Sequence, residues 1–138
     1  EDGITKAQKL LITWMISDER LYEEISKHVE LRDFTNELYR TVVEMLHQQK
    51  AQGKLKPAEI MSHFADSEHQ GEVASLFHTE LKQIEKKEEL EKALAETIMK
   101  VKEHSYNVQI DEMDKNDLIA WQKILQEKSK LQKLHISL

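Results

Sequence analysis

Cysteine is absent from the 138 residues. Disulfides, thiolate nucleophiles and Cys-based zinc sites are therefore excluded. Proline occurs once and glycine three times. A strand-rich fold needs many turns, so this scarcity predicts long helices joined by few corners. No apolar run approaches the roughly 20 residues of a membrane span, and no signal peptide is visible. The motif inventory is equally bare. There is no Gly-rich phosphate loop, no Ser nucleophile elbow and no His-Glu-x-x-His pair. Aromatic residues make up 6% of the chain and net charge is −6, which disfavours a general nucleic-acid binder.

What is present is helix-forming. Hydrophobic residues are 39% and charged residues 33%, enough for a core under a well-solvated surface. Leu, Glu, Lys, Gln and Ala dominate, all good helix formers. The first residue is Glu1 rather than Met, so the chain is expected to be a piece of a longer protein. The charge is uneven. Residues 115–138 hold five Lys against Asp117 and Glu127, leaving +3, while residues 1–114 carry −9.

The hydrophobic pattern divides the chain into seven helices. The first covers about residues 5–16, with Ala7, Leu10, Leu11, Trp14 and Met15 inward. Ser17 and Asp18 stand where a second helix would take its N-cap. That helix is short and buries Leu21, Tyr22 and Ile25. A third amphipathic helix follows in "DFTNELYRTVVEMLHQQKAQG", with Thr35 as N-cap and Gly53 at its end. Pro57 opens a fourth at the position proline favours. "SEHQGEVASLFHTEL" makes a fifth, with Val73, Leu76 and Phe77 inward.

From about residue 84 to 113 one breaker-free helix is expected, on the order of 40 Å long. Leu90, Ala93, Leu94, Ile98 and Val101 make a dense stripe in its first half. Apolar residues thin out beyond Lys102. The expected division is thus a compact bundle over residues 1–103 and a protruding hairpin over residues 104–138. "DKND" at residues 114–117 forms the hairpin's corner, and a seventh helix runs over about residues 117–134. The fold class is all-α.

Catalytic groupings are sparse. Glu44 and His47 have the Glu-x-x-His spacing of di-iron carboxylate bundles, but such sites need a second copy and the chain has none. A surface pair beside Met45 and Leu46 is the plainer reading. No acid–base pair stands out, and no catalytic residue, metal or cofactor is assigned to this chain. The seventh helix is more informative. Its apolar residues span an arc about 200° wide, against the roughly 100° that one core-facing helix needs. Part of that arc is left either for another protein or for the bundle itself, if the arm folds back on it. Leu118, Trp121 and Leu125 are expected to pack on the long helix. Ile124, Leu131 and Leu134, with Ile119 near the corner, are expected to face the partner.

The chain resembles the C-terminal helicase-binding domain of bacterial DnaG-type DNA primases, of the Bacillus kind. The resemblance lies in "AQKLLITWMISDERLYEEI", in "DFTNELYRTVVEML", and in the long helix followed by "LQEKSKLQKL". It covers essentially the whole chain and rests on helix order, not on a catalytic motif. The N-terminal domain of the replicative helicase has a similar fold. There the first helix usually carries Leu-Gly, where this chain has Leu10-Leu11-Ile12-Thr13. The resemblance implies a cytoplasmic bacterial domain without catalysis of its own. It would dock primase on the hexameric replicative helicase and stimulate it at the fork. The parent would be a primer-making RNA polymerase, with zinc and magnesium held by other domains. No direct nucleic-acid binding and no membrane contact are expected. The rivals are a di-metal enzyme, the helicase's own N-terminal domain, and a helical adaptor with another partner.

Overall fold

The structure, a computed structural model, describes residues 2–78 and 84–138. Among them are seven α-helices and no strand. α1 (Gly3–Ser17) starts at Asp2, whose carboxylate accepts from Thr5 N at 2.7 Å. α2 (Glu19–His28) follows after one residue. Asp18 makes that corner by accepting from Arg20 N at 2.7 Å, so a single Asx cap ends one helix and opens the next. A 3₁₀ turn (Leu31–Asp33) leads to α3 (Glu37–Ala51). Its cap is Asn36, accepting from Tyr39 N at 3.0 Å, and not the expected Thr35. Thr35 instead takes a hydrogen bond from Gln8 Nε2 at 3.0 Å, while Gln8 Oε1 accepts from Asn36 N at 3.1 Å. The amide of Gln8, 1% exposed, spends both ends holding this corner to α1.

Gly53 ends the α3 segment at φ +124°, a conformation that L side chains rarely adopt. α4 (Pro57–His63) has proline in its first turn, and α5 (Gln70–His78) follows. The expected end of the fifth helix, at residues 79–81, lies outside the described residues. α6 (Lys87–Glu112) is the long helix, and α7 (Leu118–Lys130) returns along it.

The core gathers around α1, which packs against α6, α2, α5 and α3. Leu11, Ile12, Ile25, Val42, Val43, Leu46, Ile60, Leu76, Leu94, Ile98 and Val101 are fully buried there. Trp14, Tyr22, Phe34, Tyr39 and Phe64 are buried in the same core, and Phe77 packs against it half-buried. Thr13, buried in the middle of α1, donates to Lys9 O at 2.9 Å and also reaches Leu76 O of α5 at 3.1 Å.

Two features bear on the expected division at residue 103. α6 crosses that point without a break, and Ser105 and Tyr106 beyond it are buried. The chain also comes back. α7 stops at Lys130, four residues earlier than its periodicity suggested, and a 3₁₀ turn (Leu131–Lys133) leads into extended chain. Leu134, Ile136 and Leu138 then point into the bundle, while His135 and Ser137 point outward. This is a period of two, which only an extended segment can present to one side. Ile136 is 3% exposed. The tail is tied by Ser137 N to Glu24 Oε1 at 3.4 Å and by Leu138 N to Glu91 Oε2 at 3.0 Å. The hairpin is therefore fastened to the bundle at its root.

A candidate docking surface on the hairpin

The hairpin's two helices are fixed in register by Lys128 Nζ, which donates to Asn107 Oδ1 at 2.8 Å. Counting outward, Ile124 lies about level with Asp111, and Trp121 about level with Asp114. Asp114 Oδ1 accepts from Asn116 N at 2.9 Å to shape the corner. Asp117 caps α7 by accepting from Ala120 N at 3.0 Å. The tip is thus built from two short Asx turns.

α7 buries no residue completely. Its partly covered residues are Ala120, Ile124, Glu127 and Lys128, and they face α6. Leu118, Ile119, Trp121 and Leu125 are 65%, 82%, 36% and 45% exposed. Burial on this helix therefore runs opposite to the expected packing. Leu118, Trp121 and Leu125 do not form the packing side, and Ile124, Leu131 and Leu134 do. Leu131 sits half-buried against α6, and Leu134 packs on the main core. Ile119 is exposed. The cause is the turn after Lys130. The tail must reach the bundle, and that rolls α7 so the side leading to Leu131 and Leu134 lies inward.

The exposed set forms a patch at the outer half of the hairpin. Toward the root it continues into a groove of about 420 Å³ between α6 and α7, floored by Met99, Leu125 and Leu131. Among the described residues, exposed large apolar side chains are confined to this one helix. A monomer rarely leaves such a cluster uncovered unless a partner takes it.

Two polar sites lie away from this patch. Asp33, fully buried, accepts from Lys102 Nζ at 2.9 Å and from Glu30 N at 2.7 Å. The same ammonium stands 4.9 Å from the centre of the Tyr106 ring. Burial acts first to lower the Lys102 pKa, but the hydrogen bond and charge of Asp33 outweigh it, and the result is raised. This pair joins the 3₁₀ turn before α3 to α6. Sequence reading missed it because its members are 69 residues apart. His47, from the Glu-x-x-His spacing, meets Tyr22 OH through Nδ1, and burial lowers its pKa. Glu44 faces solvent. Among the described residues no three His, Cys, Asp or Glu gather as a metal site. No described helix is long and apolar enough to cross a membrane.

Comparison with known proteins found no matching family model, no curated relative and no similar solved structure.

Proposed function

We propose that this chain is a protein-docking module, and that it serves as the helicase-binding domain of a bacterial primase. The observation that carries docking is the exposed Leu118–Ile119–Trp121–Leu125 set on a helix otherwise held against α6. The resemblance of the first, second, third and last helices to the DnaG-type domain supplies the partner, the hexameric replicative helicase. In this reading the bundle is the platform and the hairpin tip is the contact. Primer synthesis belongs to other domains of the parent protein.

The test is titration of labelled chain with a cognate hexameric helicase, checked by size-exclusion chromatography. Truncating a buried interface anchor costs about 1–3 kcal/mol, or roughly 5- to 150-fold in affinity. Trp121→Ala and Leu118→Ala should each weaken binding by that order. Leu118→Ala, at a side chain 65% exposed, should barely move the melting temperature, while Trp121→Ala, at one only 36% exposed, should lower it modestly through lost packing. Unchanged affinity in both variants would remove the hairpin tip from the contact. Failure of the unmodified chain to bind would remove the helicase.

A further inference from the structure

The apolar patch at the hairpin tip is bordered by carboxylates. Asp111 and Glu112 end α6, and Asp114 and Asp117 form the corner. All four are exposed, and none forms an ion pair with another described residue. Lys115 is the single cation among them, so residues 111–117 carry a local charge of −3. Past the tip the sign reverses, with Lys123, Lys128, Lys130 and Lys133 toward the root. The hairpin is therefore polarised along its length, negative where the apolar side chains are most exposed.

This distribution has consequences for what can cover the patch. Two tips side by side would set four carboxylates against four, which disfavours tip-to-tip pairing of two copies. Nucleic acid is repelled by the same charge. An apolar partner surface without cations would leave the carboxylates at the rim unanswered. Resting on the docking reading above, we propose that the partner surface is an apolar patch rimmed by Lys or Arg. The carboxylates of Asp111, Glu112 and Asp114 steer it onto Leu118, Ile119, Trp121 and Leu125. The contact thus has two separable parts. The apolar part holds, and the charged part speeds encounter and fixes orientation, as rim charges generally do.

The test compares the full chain with the triple variant Asp111→Asn, Glu112→Gln and Asp114→Asn. Asn at position 114 keeps the side-chain oxygen that accepts from Asn116 N, and Asp117 is left in place as the α7 cap. Binding to the hexameric helicase is measured at about 50 mM and about 500 mM salt, where screening lengths differ several-fold. The unmodified chain should bind faster and more tightly at low salt. The triple variant should lose about tenfold at low salt and converge with the unmodified chain at high salt. Trp121→Ala should lose affinity at both. Equal affinity of chain and triple variant at both salts overturns the cationic rim while leaving the docking reading standing. Tighter binding by the triple variant overturns it as well, since the partner's rim would then be acidic. A salt-sensitive dimer of the chain alone, lost in the triple variant, would make a second copy the occupant and overturn it too. No binding by the unmodified chain at either salt removes the helicase as partner, and the cationic rim proposed for it with it.

Discussion

Lys102 and Asp33 make the most deeply buried ion pair among the described residues. The Asp33 carboxylate has no exposure, and the Lys102 side chain has 10%. Removing one partner of such a pair strands the other charge in the core. Lys102→Met should therefore cost about 3–5 kcal/mol in urea unfolding, and Asp33→Asn added to it should recover part of that loss. A small cost in the single variant would mean that water reaches Asp33. The folded Lys102 pKa lies above its ordinary value of 10.5. The pair's contribution is thus complete below that value and is lost as pH rises through the folded pKa. His47 acts at the other end of the scale. Burial depresses it below 6.5, so folding favours the neutral ring, which is hydrogen-bonded through Nδ1 with Tyr22 OH. Its contribution is complete above the unfolded pKa and is lost as pH falls. Melting temperature should drop between about pH 7 and about pH 5, and less so in His47→Gln. An equal drop in the variant would assign the effect to other groups. Neither contact was legible locally. Lys102 and His47 look like ordinary helix-surface residues until a distant segment is laid over them.

At the scale of elements, the segments legible in the sequence were those with strong caps and stripes. Asp18 between α1 and α2, Gly53 after α3, Pro57 at the start of α4 and the "DKND" corner all fall where their chemistry put them. The last element was misread for a definable reason. Leu131, Leu134 and Leu138 fit a helix, but Leu134, Ile136 and Leu138 fit an extended strand equally well. A short apolar run cannot settle its own period. The tail's role gives a direct test. Ile136→Ala should destabilise the whole chain by about 2–4 kcal/mol, as removal of a buried aliphatic side chain does. His135→Ala, one residue away and exposed, should change stability by less than about 0.5 kcal/mol. Equal, small effects would mean that the tail is not seated in the core.

At the scale of the whole molecule, bundle and hairpin share one helix and one tail. α6 runs through both, and Ile136 closes the bundle from the far end of the chain. A chain ending at Glu103 would lack Tyr106, Leu134, Ile136 and Leu138 together. It would also lose the ring beside the Lys102 ammonium. It should remain helical but melt well below the full chain, with a broader transition in circular dichroism. A melting temperature equal to that of the full chain would show the bundle to be independent of the tail. The tail backbone is held to α2 by Glu24 and to α6 by Glu91.

Local sequence chemistry sets the all-helical class, the corners, the central stripe of α1 and the presence of a surplus apolar face on the last helix. These follow from local chemistry: helix propensity, caps, and a period that each segment carries within itself. It did not determine which side of α7 is covered. Leu118, Trp121 and Leu125 are as apolar as Ile124, Leu131 and Leu134, and the helix wheel treats the two sets alike. The choice was made by the tail. Once Ile136 is buried in the bundle, the chain before it must turn at Leu131. That turn rolls Ile124 toward α6 and leaves Trp121 facing out. Only the tertiary structure holds that information, because the burial of one residue near the C-terminus fixes the orientation of a helix that ends six residues earlier.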